Sequence, residues 1–375
     1  MTKALDGVKS FFVGGVWETF CKNWIWKGFC VNTVYKKFDK WKAWLYLSPA
    51  IVLLLIFTVW PIINTVIMSL WNGYSLMDEL GAQRMVQEMM ENPELLNAFL
   101  DRYGDAGRQL LANPYPFQLG VDNFVNVVAY DGFWNCLQNT LLLCVLTVPL
   151  STILALIIAV ALNSIKVLNR FLQTIFFLPY VTNSIAIGMV FSAMFNMIGY
   201  KNGVATSVGL INTVLGWFGM DPINWMNNGA PYWASITVLV IYIVWNALPF
   251  KILILLGGLQ SVNKQYYEAA KIDSTPRLRV FTRITVPLLS PMIAYVVITG
   301  FIGGFKEYSS IVGIFGEDMM APAGEKSLNT MVGYIYDQLG NQHEGQASAA
   351  ALILFAIIFV VTMINMYVSN KKTHY

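Results

Sequence analysis

Six stretches of this sequence are each long and apolar enough to cross a bilayer, and that constrains the fold more tightly than any other feature. They are Trp44–Leu70, Cys136–Leu162, about Phe171–Phe195, about Tyr232–Leu256, a block beginning near Val286 and running past Ile302, and about Ala347–Val368. A spanning helix needs roughly 20 mostly apolar residues. Hydrocarbon offers no hydrogen-bond partner, so a span must satisfy its own backbone, and each block is expected to be helical. Pro61, Pro149, Pro179 and Pro249 fall inside these blocks and predict kinks or packed breaks. Only 12% of the 375 residues are charged, about half the ~25% usual for a soluble domain. The expected fold class is an all-α integral membrane protein with six transmembrane helices.

The connecting segments alternate in charge, and short-loop Lys and Arg mark the cytoplasmic side. The arm 1–43 holds Lys3, Lys9, Lys22, Lys27, Lys36, Lys37, Lys40 and Lys42 against Asp6, Glu18 and Asp39. Lys166 and Arg170 follow the second block, and Lys371 and Lys372 follow the sixth. Segment 72–133 instead carries nine acids against Arg84, Arg102 and Arg108. Residues 199–230 are nearly neutral, and the segment before the sixth block is acidic. Six spans with both termini cytoplasmic fit this pattern.

The arm 1–43 interleaves aromatic residues with lysines, as a helix lying in the headgroup layer does. Lysines and acids interrupt its apolar residues, and no small-residue cleavage site follows, so it does not read as a signal peptide. A membrane domain is expected over 44–370, with 72–133 as a small extracytoplasmic insertion of helix-forming composition. Cys21, Cys30, Cys136 and Cys144 form no C-x-x-C pair, and His343 and His374 lack partners for a metal site. No G-x-x-x-x-G-K-[ST] phosphate loop occurs and no nucleophile–base pattern stands out, so the chain reads as no enzyme.

One cytoplasmic connection, 257–285, is unusually charged. "YYEAAKIDSTPRLRVFTRITVPLLSP" and the residue Lys264 before it supply Glu268 and Asp273 against Lys264, Lys271, Arg277, Arg279 and Arg283. "QYYEAAK" favours helix, "DST" breaks it, and Thr275 before Pro276 reads as an N-cap with proline at the first helical position. Two short helices at an angle make an elbow. Ala269 and Ala270 offer close approach and Glu268 a charge for a partner. A helix pair on the membrane surface, its bases facing lipid phosphate, fits the same residues.

"EAAKIDSTPRLRVFTRITVPLLSP" resembles the EAA loop of ABC importer permease subunits, which reads E-A-A, three residues, glycine, about nine residues, then I-x-L-P. Glu268, Ala269, Ala270, Asp273, Ile284, Pro287 and Pro291 match it. Ser274 replaces the glycine and Val286 a common leucine. Ser274 there predicts a costly left-handed backbone and a slightly altered elbow. Over about 44–370, "LSPAIVLLLIFTVWPIINTVIMSLW", "GVDNFVNVV", "NRFLQTIFFLPYVTNSIAIGMVFSAMFN" and "GLINTVLGWFG" are similar to the carbohydrate-uptake branch, of the maltose and glycerol-phosphate permease type. Residues 1–43 and about 76–116 lie outside the resemblance.

The resemblance implies that Glu268, Ala269, Ala270, Asp273 and Ser274 couple the chain to a cytoplasmic ATPase. It implies a second homologous permease subunit, two ATPase subunits that bind ATP and Mg, and an extracellular or periplasmic solute-binding protein. It places the chain in a bacterial or archaeal plasma membrane, contacting lipid and no nucleic acid. The solute would be a sugar or oligosaccharide, alternatively a glycerol phosphoester. An ion-coupled secondary transporter is the competing class, and it would usually show inverted repeats that the two halves lack. Intramembrane polar groups tend to face cavities, and the resemblance puts the solute path at Trp245, Asn246 and Phe250 and at Lys306, Glu307 and Tyr308. Taken singly, Trp245 better suits helix packing, and Lys306 and Glu307 an interfacial ion pair; as a cluster they suit a solute path as well.

Overall fold

The structure, a computed structural model, describes residues 44–72, 76–112, 118–165, 169–196, 200–201, 204–205, 209–227, 229–316 and 328–372. The arm 1–43, Cys21, Cys30 and His374 lie outside the described residues. The chain divides into two compact units, Met1–Asn64 and Thr65–Tyr375. Among the described residues four helices are long and apolar enough to span, or up to six if two bent pairs each count as one.

Helix α1 covers Trp44–Ser69 and contains a π-turn at Leu55–Val59. Pro61 follows that turn by two residues. A proline ring displaces the carbonyl four residues back, and here the Trp60 N–H reaches Leu55 O instead. The same arrangement recurs before Pro287, where a π-turn at Phe281–Thr285 is closed by the Val286 N–H on Phe281 O.

After α1, strand β1 (Trp71–Asn72) pairs antiparallel with β2 (Gln118–Leu119) in the register Trp71↔Leu119 and Asn72↔Gln118. Helices α2 (Leu76–Glu91) and α3 (Pro93–Ala112) lie between them, and Gly104 in α3 breaks its helical path at φ 52°. The neck of this excursion is fastened from helix α4 (Asp122–Ala129). Asn123 Nδ2 donates to Ser69 O and Trp71 O, and Asn72 Nδ2 donates to Asp122 Oδ2 at 2.7 Å.

Helix α5 (Asp131–Ser164) is unbroken despite Pro149. Its hydroxyls bond back to the helix carbonyls: Thr147 Oγ1 to Leu143 O, Ser151 Oγ to Thr147 O and Thr152 Oγ1 to Val148 O. Helix α9 (Tyr232–Ser261) packs along it, also unbroken at Pro249. The third apolar block differs from a straight span. It forms α6 (Asn169–Val181) and α7 (Ser184–Phe195), bent by 104° at Thr182–Asn183. Asn183 caps α7 by accepting from the Ile185 and Ala186 amides. The buried Tyr242 hydroxyl of α9 donates to Ser184 O, which anchors the start of α7 to α9.

A small antiparallel pair, β3 (Tyr200–Lys201) with β4 (Val204–Ala205), precedes α8 (Leu210–Trp217). Buried Asn212 holds the following loop: its amide donates to Ile223 O, and its carbonyl accepts from Ile223 N and Trp225 Nε1. Past α9 come α10 (Lys264–Ile272) and α11 (Arg277–Leu288), the latter bent by 69° into α12 (Ser290–Gly304). Short α13 (Ser309–Phe315), α14 (Met331–Gly340) and the long α15 (Glu344–Lys372) complete the chain. The extended residues before α14 are met by α5, where Asn139 Nδ2 donates to Asn329 O and Thr140 Oγ1 accepts from Met331 N.

Three apolar clusters hold the second unit together. One gathers Leu239, Tyr242 and Ile311, another Phe133, Phe305 and Met331, and a third Ala155, Leu255 and Leu289. Helices α7 and α13 cross at Gly188 and Gly313. A Cβ on Gly188 would stand 2.8 Å from Gly313 Cα, so two bare backbones touch there. Gly188→Val is expected to destabilise by about 1–3 kcal/mol through overpacking, read as a lower thermal unfolding midpoint of the purified protein. Gly216→Ala, where a Cβ meets nothing within 4 Å on α8, is expected to hold or raise that midpoint.

Candidate functional site: an exposed elbow and an intramembrane cavity

The charged connection folds as an elbow of two helices. Helix α9 continues through Ser261, so the turn into the elbow falls at Val262–Asn263, later than the expected 257. Asn263 then caps α10, its side chain accepting from the Gln265 amide. The turn closes with Asp273 N on Ala269 O, Ser274 N on Lys271 O and Thr275 N on Ala270 O. The N-cap of α11 is one residue later than the sequence implied. Pro276 is extended and occupies the cap itself, and no side chain closes it. A hydroxyl contact of 3.4 Å from Tyr267 to the buried Thr285 ties α10 to the base of α11.

Glu268, Ala269, Asp273 and Ser274 are exposed on this elbow. Ala270 is buried within the chain, so Ala269 alone is the small exposed residue beside Glu268. Ser274 sits at φ 51°, in the left-handed region that its place in the motif required. The elbow also bears two apolar residues that the sequence reading passed over. Ile272 is 84% exposed and Leu278 75% exposed, between Lys271, Asp273, Arg277 and Arg279. Their only signal in sequence is large aliphatic side chains set into a highly charged connection.

A cavity of about 450 Å³ opens among α5, the α6–α7 break, α9 and α12. Helix α5 contributes Thr147, Val148 and Ser151, and the break contributes Pro179, Tyr180, Thr182 and Ser184. Helix α9 contributes Asn246, Phe250 and Lys251, and α12 contributes Thr299, Gly300, Gly303 and Gly304, with Glu307 just beyond. The Phe250 and Tyr180 rings stack at 6.0 Å. The volume lies within the ~300–1,000 Å³ range of small-molecule sites.

Of the residues expected on the solute path, Asn246, Phe250 and Glu307 line this cavity together. Trp245, Lys306 and Tyr308 do not. Trp245 points about 100° away from Asn246 around the helix and packs on Phe191 at 5.3 Å and Tyr242 at 6.4 Å. Tyr308 stacks on Tyr336 at 4.6 Å. Lys306 is exposed in the turn after α12. Glu307 makes no ion pair with it; its Oε1 accepts from the Ser310 amide at 3.2 Å, at the start of α13. The residue that sequence reasoning missed is Lys251, buried in the cavity wall on α9.

Comparison with known proteins shows the family and the fold. Residues 151–374, more than half of the chain, match the family model described as binding-protein-dependent transport system inner membrane component. The lactose transport system permease protein LacF of Rhizobium radiobacter is 28% identical over 86% of this chain and 91% of its own length. The arabinooligosaccharides transport system permease protein AraP of Bacillus subtilis is 30% identical over 68% of this chain and 76% of its own. Among solved structures, a chain of a bacterial ABC transporter involved in the import of the acidic polysaccharide alginate aligns with a TM-score of 0.65. It has 19% identity and covers 91% of this chain and 99% of that one; that likeness shows the fold.

A left-handed backbone costs a non-glycine residue roughly 1–2 kcal/mol. Ser274→Gly is therefore expected to raise stability by up to about 1 kcal/mol, and Ser274→Val to lower it by a similar amount. Thermal unfolding of the purified variants measures both.

Proposed function

We propose that this chain, which belongs to the family of binding-protein-dependent transport system inner membrane components, passes a sugar or oligosaccharide through its cavity, powered by ATPases docked on its elbow. The single observation that carries this reading is the elbow itself. Exposed Ile272 and Leu278 on a loop of alternating charge are costly in water, and a partner's cleft removes that cost. Glu268 and Asp273 add charge complementarity at the same surface, with Ala269 allowing close approach.

ATP and Mg would be held by two separate cytoplasmic subunits. A second permease subunit would complete the membrane assembly, and an extracytoplasmic binding protein would deliver the solute. The alternation of basic and acidic segments supports a topology with both termini and the elbow on the cytoplasmic side, in what would be a bacterial or archaeal plasma membrane. The relatives' lactose and arabinooligosaccharide names support a saccharide cargo. So does the cavity, where the Tyr180–Phe250 pair offers ring faces and Thr147, Ser151, Thr182 and Asn246 offer hydrogen bonds.

Two measurements test the two halves of this reading. Ala269→Trp places bulk on the exposed face of α10 and is expected to lower uptake by about tenfold or more, the effect of losing one interface hot spot. The variant should still reach the membrane; normal uptake with normal solute-stimulated ATPase would remove the elbow from coupling. Gly303 faces the open cavity, since a Cβ there meets nothing within 4 Å. Gly303→Val should therefore slow transport while leaving the unfolding midpoint within the error of the parent. Unchanged uptake of every sugar tried would place the path elsewhere.

A further inference from the structure

Lys251 is 4% exposed. Its Nζ donates to Val148 O at 3.2 Å, Ser151 Oγ at 2.7 Å and Thr152 Oγ1 at 3.0 Å, all on α5. These partners are neutral oxygens and none is a carboxylate. A buried ammonium with neutral partners alone is expensive, so a further interaction in the cavity it borders lowers its cost.

The same cavity holds a carboxyl group, Glu307. Gly300 lies in α12 and Glu307 in the turn that follows it, seven residues further along the chain. A Cβ on Gly300 would stand 3.2 Å from Lys251 Nζ, so the ammonium lies against Gly300. Gly303 and Gly304 follow toward Glu307, and both also line the cavity. The wall between the two charged groups is therefore bare backbone. One cation and one carboxyl group face a shared space without pairing to each other.

We propose that Lys251 and Glu307 are the opposite poles of this cavity and that together they select an uncharged polyhydroxy solute and orient it. This rests on the importer reading above and adds the charge class of the cargo and a specificity-determining residue. At one end a ring or hydroxyl oxygen of the solute takes over one Lys251 N–H from the three α5 oxygens that otherwise engage all of them, and at the other Glu307 accepts a hydroxyl hydrogen. A neutral saccharide satisfies both poles with no net charge brought into a low-dielectric space. A uronate gains at Lys251 and is repelled by Glu307.

The test uses the purified full complex with its partner permease and ATPase subunits. Binding of lactose and of cellobiouronic acid, a disaccharide bearing a glucuronate, is read by saturation-transfer NMR without the binding protein. The parent should prefer lactose. Glu307→Gln should shift the ratio toward the uronate by about tenfold, the worth of one charge-assisted interaction. Lys251→Met should weaken lactose by a similar factor and the uronate by more. Both variants are close in size to the parent residue; if Lys251→Met fails to assemble, the Glu307→Gln ratio decides.

Equal changes for both sugars, or none, would show that Lys251 only bridges α9 to α5 and would overturn the proposal. Sugar uptake by the parent in proteoliposomes is measured alongside. Uptake with unmoved ratios leaves the importer reading standing and removes the proposal. No uptake across a panel of neutral sugars removes both.

Discussion

Backbone groups cannot pass their hydrogen bonds to hydrocarbon, and at several places where this chain leaves regular helix a named group meets the backbone. At the α6–α7 bend, Asn183 caps the new helix and Tyr242 reaches Ser184 O from α9. At the extended approach to α14, Asn139 and Thr140 of α5 bond Asn329 O and Met331 N. Before Pro61 and Pro287, the helix widens into a π-turn and recovers a bond one residue further on. Much of the polarity within the apolar blocks is therefore spent on holding breaks together. What remains facing open space is a small set, which is why the cavity is chemically informative.

The spans were legible because length and apolarity alone define them. Their interruptions were less so. Pro149 and Pro249 lie in unbroken helices, whereas the helix holding Pro179 ends at Val181. A proline marks a weak point, and whether the chain bends there depends on a capping residue such as Asn183 and a distant anchor such as Tyr242. The elbow was visible through its motif, and Ser274 took the backbone geometry that the motif's glycine implies. The inward turn of Ala270 was not visible, since two adjacent alanines carry no sign of which one faces solvent.

Within the cavity, neighbours in sequence separated by helix geometry. Asn246 lines it while Trp245 turns into the aromatic core with Phe191 and Tyr242. Nothing in the sequence shows that Lys251 turns inward, since a lysine within a span can also snorkel outward. Val148 O and the adjacent hydroxyls of Ser151 and Thr152 on α5 hold it inward. The glycines of α12 divide their work in a way no pattern of glycines announces. Gly304 allows close approach, since a Cβ there would meet Cys144 Sγ at 2.8 Å, while Gly303 leaves space.

The elbow and the cavity share their helices. Helix α9 lines the cavity from Ile243 to Lys251 and runs without a break to Ser261, where the elbow begins. On the other side, α11 leaves the elbow and bends by 69° into α12, whose Thr299–Gly304 segment forms the facing wall. A force applied to the elbow therefore acts on two cavity walls through continuous or once-bent helices, with no relay of side chains required. The bend lies between Pro287 and Pro291, where missing amides remove helix bonds and lower the cost of changing the angle. Lys251 adds a constraint to such motion: its three bonds tie α9 to α5 at the level of the cavity. Proposed closure at the elbow would then move α12 against a paired α5–α9 wall, changing the distance between the Lys251 and Glu307 poles. A solute held by both poles would lose one of them in that step, which weakens its binding as the path opens.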